Sequence, residues 1–148
     1  MQNKIIDKKK ILILADYYVP GIKGGGPIQS IKNIVDNLKS EFNFYIIAKD
    51  RDLGDREPYK NIQQDKWQIV GNANVYYVSE EKFNIFNITK IINEVNYDVL
   101  YLNSFFAIKT GLMPIILRKF KKIDNKKIVM APRGQFSKGA LQLKSLKK

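Results

Sequence analysis

The stretch Gly21-Ile22-Lys23-Gly24-Gly25-Gly26-Pro27 carries the clearest chemical signal in this sequence. Glycines let backbone N–H groups approach an anion closely, and a helix opened by Pro27 would add a favourable dipole. Lys23 adds a positive charge. The spacing is neither the G-x-G-x-x-G dinucleotide fingerprint nor a Walker A loop, so a phosphate-contacting loop and a flexible turn both fit. Asp16, just before the loop, reads either as a polar cap on it or as a ligand contact. Arg133, between Pro132 and Gly134, suits pairing with phosphate or carboxylate; an ordinary surface arginine is the alternative. Tyr17, Tyr18, Tyr101, Phe105 and Phe106 fall at strand ends, where aromatics more often pack than form a binding platform.

The chain has no cysteine and no histidine. Disulfides, thiolate zinc sites, a cysteine nucleophile and the Ser-His-Asp triad are thereby excluded. Acid–base chemistry in this segment falls to carboxylates, Tyr or Lys.

The elements that must hold these residues alternate. Ile11–Asp16 is an apolar run suited to a strand buried on both faces. After the glycine loop, Ile28, Ile31, Ile34, Val35 and Leu38 recur at helical spacing. Phe42–Ala48 reads as a second strand, Asp50–Asp65 as a long polar surface loop, and Ala73–Val78 as a third strand. Phe83–Val95 reads as an amphipathic helix carrying Phe83, Phe86, Ile88, Ile91, Ile92 and Val95. Val99–Leu102 is a fourth strand, Ala107–Phe120 a helix and Ile128–Ala131 a fifth strand; Lys138–Lys148 reads as the start of another helix.

Such alternation predicts an α/β, Rossmann-like three-layer sandwich with a mainly parallel sheet, its five strands ordered 3-2-1-4-5. Ligands sit beyond the carboxyl ends of such strands, where the order reverses. That rule brings the glycine loop near Asn103 and Ser104. Asp16, Tyr17, Asn103, Ser104 and Arg133 are therefore the candidate cleft residues.

The 148 residues suit one domain and 45% of them are hydrophobic, which agrees with a globular protein. No apolar run approaches the ~18 residues of a membrane span. Met1–Lys10 lacks the apolar centre of a secretory signal, so a cytoplasmic location is expected. The net charge of +12 is unevenly placed. Met1–Ser104 holds 14 basic and 13 acidic side chains, Phe105–Lys148 12 and one. The basic third reads either as a solvated lysine face or as a patch for polyanions, including an anionic membrane at the inner face of the cell membrane. Nucleic acid is disfavoured as a partner, because the charge is not interleaved with a recognisable binding module.

Tyr17–Ile28 resembles the N-terminal glycine loop of GT4-type glycosyltransferases. Asp50–Tyr59, Val75–Val78, Leu102–Phe106 and Ala131–Leu141 resemble further segments of one bacterial branch, in the same order. The resemblance implies a retaining enzyme of GT-B fold, with two Rossmann-like domains flanking a cleft. It implies that residues 1–148 are the N-terminal, acceptor-side domain, with the C-terminal donor-binding domain absent, and that they are inactive alone. It implies transfer from a nucleotide-sugar, itself a substrate, to a glycan or lipid-linked acceptor in bacterial surface polysaccharide biosynthesis, with neither cofactor nor metal. Gly24, Gly25, Gly26 and Lys23 match the loop that meets the donor diphosphate. Many relatives carry a histidine after the fourth strand, where this chain has Asn103 and Ser104; no catalytic residue is assigned. The alternative is a non-catalytic acceptor- or membrane-binding module that works with a partner chain.

Overall fold

The computed structural model describes residues 7–133. The helix expected from Lys138 and the motif residues after Arg133 lie outside them. Six strands form one sheet: β1 (Lys9–Leu14), β2 (Phe42–Lys49), β3 (Trp67–Val70), β4 (Ala73–Val78), β5 (Val99–Leu102) and β6 (Lys127–Met130). Their spatial order is β3-β4-β2-β1-β5-β6. Every pairing is parallel except β3 with β4. The five expected strands occupy the expected order, and the order reverses between β1 and β5.

Strand β1 lies between two parallel neighbours, Ile11 pairing with Phe44 on one side and Val99 on the other. Leu12 and Leu14 enter one buried cluster and Ile13 and Ala15 the other. A strand whose alternate side chains both meet apolar layers must read as a continuous apolar run, as Ile11–Ala15 does. Helix α1 (Gly26–Leu38) covers one face through Ile31 and Val35, with Pro27 in its first turn. Helix α2 (Ile85–Glu94) covers the other through Ile88, Ile91 and Ile92, and α3 (Met113–Lys119) adds Leu117.

Four local expectations are corrected. Trp67–Val70 is an antiparallel edge strand that sequence reading left unassigned. It joins β4 through Gly71-Asn72, with Gly71 at φ 59°, the left-handed value a two-residue hairpin asks of its first turn position. Trp67 is wedged edge-on between Tyr45 and Tyr76 at 5.5 and 5.3 Å, whereas Ile69 is exposed, so the strand lacks clean alternation. The second helix begins at Ile85, because the Asn84 side chain caps it by accepting from the Asn87 N–H. Phe83 is buried ahead of that cap, and Phe86 points outward, 84% exposed. The helix expected from Ala107 opens as a π-helical turn, Ile108–Leu112, that runs into α3. Finally, the polar loop after β2 is not wholly superficial: Asp50 and Asp52 are buried. Among the described residues no helix is long and apolar enough to cross a membrane.

Candidate functional site

The carboxyl ends of β1, β2, β5 and β6 deliver the candidate residues to one edge. A cavity of about 190 Å³ there is lined by Asp16, Tyr17, Gly24, Asn103, Ser104 and Arg133, together with Pro27, Leu53 and Thr110. All five cleft candidates thus meet in one place, joined by Gly24 and Pro27 of the glycine loop. A larger cleft of about 520 Å³ adjoins it and shares Asp16 and Tyr17.

Asp16 is steadied by Thr110, whose buried hydroxyl donates to its Oδ1 at 2.8 Å across 94 residues of sequence. Thr110 sits in the π-helical turn, and the turn owes its position to Gly111. A β-carbon on Gly111 would overlap the Ser104 carbonyl oxygen, so the two backbones approach as only glycine permits. Thr110 and Gly111 were not singled out from sequence. The wider turn of the π-helix that sets them against Ser104 leaves no periodic trace.

The glycine loop is organised from within the protein. Asp52 receives the N–H groups of Ile22 and Lys23 on Oδ2 at 2.6 and 2.9 Å. Its Oδ1 receives those of Leu53 and Gly24 at 2.8 and 3.3 Å. Burial pushes the Asp52 carboxyl up, but the four amides outweigh it and hold the group below its ordinary value. Gly25 donates to the Ile22 carbonyl oxygen at 3.0 Å and caps α1 at φ 68°, a left-handed conformation that a β-carbon disfavours. The Lys23 ammonium pairs with Asp55 at the exposed rim, and that bond raises its pKa. Of the expected diphosphate-binding residues, then, Lys23 and Gly24 already face protein carboxylates. The Gly26 N–H has no partner among the described residues, and a β-carbon there would meet open space.

Arg133 is arranged differently. Its Nε and Nη2 donate to Asn103 Oδ1 at 2.9 and 2.5 Å, and Nη2 also reaches Tyr101 Oη at 3.1 Å. Both acceptors are neutral. The backbone of Arg133 has φ 51°, a strained value for a residue with a side chain. Tyr18, by contrast, belongs to the core. It is buried, and burial first, with Asp36 adding, pushes its hydroxyl up to about 12.

In the larger cleft, Lys49 lies 4.9 Å from the Tyr17 ring centre and 5.1 Å from that of Phe83, and Lys109 lies 5.1 Å from Phe83. Sequence reading missed both lysines. Their partner Phe83 stands on a different element from either. Arg51 in the same cleft is neutralised by buried Asp50 and by Glu80. Among the described residues no three carboxylates gather as metal ligands.

These features define a class: a Rossmann-like α/β fold with a cleft at the point where its strand order reverses. Comparison of the chain with family models, with curated proteins and with solved structures returns no match.

Proposed function

We propose that this chain is the acceptor-side part of a retaining glycosyltransferase of GT-B type. It works with a donor-binding domain to move a sugar from a nucleotide-sugar to a glycan or lipid-linked acceptor of a bacterial surface polysaccharide. One observation carries the reading: residues from four separate segments that resemble such enzymes line a single cavity at the sheet's ligand edge. A cleft with Asp16, Thr110, Asn103 and an arginine has the hydroxyl- and anion-matching groups a sugar acceptor needs. On the donor side, Gly26 and the first turn of α1 remain to meet a diphosphate.

Catalysis of group transfer requires both reactants in near-attack geometry, so residues 1–148 assayed alone should turn over no nucleotide-sugar. Joined to a donor-binding domain they should transfer, and Gly25→Val should then abolish transfer while the sheet stays folded. Full transfer by that variant, or turnover by residues 1–148 alone, defeats the proposal.

A membrane-facing role draws on a second observation. Ile108 and Phe120 are each 67% exposed, Leu112 and Ile115 partly so, and Arg118, Lys119, Lys121 and Lys122 flank Phe120 in sequence. Apolar side chains beside cations suit an anionic bilayer surface. Vesicles rich in anionic lipid should bind the chain at low salt and release it as salt rises. Equal binding to neutral vesicles contradicts this role.

A further inference from the structure

We propose that the 190 Å³ cavity binds an acidic sugar, with Arg133 receiving its carboxylate or phosphate and Asp16 receiving its hydroxyls. That this sugar belongs to the acceptor rests on the glycosyltransferase reading; that the cavity prefers an anion does not. The first ground is charge. All 14 Asp and Glu residues lie within residues 7–133, yet none forms an ion pair with Arg133. Arg51, the arginine of the neighbouring cleft, is held by Asp50 and Glu80. Arg133 keeps its full positive charge in a wall shared with Asp16, Asn103, Ser104 and Thr110.

The second ground is orientation. Asn103 and Tyr101 engage Nε and Nη2, and Nη1 has no partner among the described residues. Two neutral acceptors thus fix the guanidinium plane without cancelling its charge. With Nε and Nη2 occupied, the two Nη1 hydrogens are left, in a fixed position, to donate to an oxygen of a carboxylate or a phosphate. The third ground is size and content. At about 190 Å³ the cavity is smaller than the roughly 300–1,000 Å³ of most ligand clefts, so it holds one ring and not an oligosaccharide. The Thr110 hydroxyl is committed to Asp16 Oδ1, which steadies the carboxylate as an acceptor of ring hydroxyls.

The test is titration of the 148-residue chain with glucuronate, glucose 6-phosphate and glucose, followed by NMR. Salt is held at about 0.15 M, where screening over about 8 Å suppresses diffuse attraction to the basic third. The two anionic sugars should shift the Arg133 Nε–H and the Asn103 and Thr110 amides, and should bind at least tenfold more tightly than glucose. The tighter of the two distinguishes a carboxylate ligand from a phosphate ligand. Arg133→Gln should bring both down to the affinity of glucose. Asn103→Asp, which places a carboxylate against the guanidinium, should do the same with the arginine still present.

Glucose binding as tightly as the anions overturns the inference. So does failure of all three sugars to bind, anion affinity unchanged in Arg133→Gln, or shifts confined to the lysines between 119 and 127. Loss of sugar transfer in the full enzyme with anion binding intact defeats the proposed function alone. Transfer without anion preference defeats this inference alone.

Discussion

The glycine loop and the Arg133 turn stand at the same edge of the sheet and treat their hydrogen-bond donors in opposite ways. The loop turns the amides of Ile22, Lys23 and Gly24 inward onto Asp52 and pairs its lysine with Asp55. The Arg133 turn holds its guanidinium with two neutral acceptors and keeps its charge. Glycine content and a nearby lysine are therefore weak guides to where an anion is received. A nest of amides attracts a carboxylate of the same chain as readily as a phosphate, and only the tertiary neighbours say which donors remain.

The contrast depends first on the π-helical turn that sets Thr110 and Ser104. Gly111→Val drives a branched side chain into the Ser104 carbonyl, and overpacking that moves backbone exceeds the usual range of about 1–3 kcal/mol. Urea denaturation should show a loss of at least about 3 kcal/mol; a near-normal midpoint would mean the turn is not held by that approach.

Removing the carboxylate that closes the loop comes next. Asp52→Ala leaves four amides without their acceptor and should cost roughly 1–3 kcal/mol. Amide exchange should quicken at Ile22, Lys23 and Gly24 while β1 stays protected; uniform protection would show that Asp52 does not organise the loop. The acid limb of stability sharpens the same point. Because the folded Asp52 pKa is depressed, its contribution is present above the unfolded value of about 3.9 and is lost as pH falls through the folded value. Asp52→Asn should flatten that part of the limb, and an unaltered acid limb counts against the assignment.

The remaining effects distinguish conformation from contact within the loop. Gly25→Val meets no neighbour but must hold φ 68° with ψ -137°, a region essentially reserved for glycine, so a loss of about 1–3 kcal/mol is expected from the backbone alone. A thermal shift beyond that range would reveal a packing contact. Lys23→Ala should leave stability unchanged within error, because its pair with Asp55 is exposed. A measurable drop in Tm would show that the pair helps to close the loop.

Most of the scaffold was legible locally. Leu12-Ile13-Leu14 announces a strand buried on both faces, Ile28, Ile31 and Val35 an amphipathic helix, and the alternation of the two a parallel sheet with its order. The carboxyl ends of the strands on either side of the order reversal then placed Asp16, Asn103 and Arg133 at one edge, where they line one cavity. Strand β3 escaped because Trp67-Gln68-Ile69-Val70 is only four residues long, too short for a period of two to stand out.

What sequence alone determined is the part governed by neighbours along the chain: five of the six described strands, the first helix with Pro27 in its first turn, and the sheet edge at which Asp16, Asn103 and Arg133 emerge. Periodicity and turn chemistry act over a few residues, so they can be read in order. Tertiary structure alone decided which charges are answered. Asp52 meets Lys23 across 29 residues and Thr110 meets Asp16 across 94, and no local pattern records such pairings. Arg133 and Arg51 look alike as residues. Burial of Asp50 beside Arg51, and of neutral Asn103 beside Arg133, makes one a structural ion pair and leaves the other charged toward the cavity.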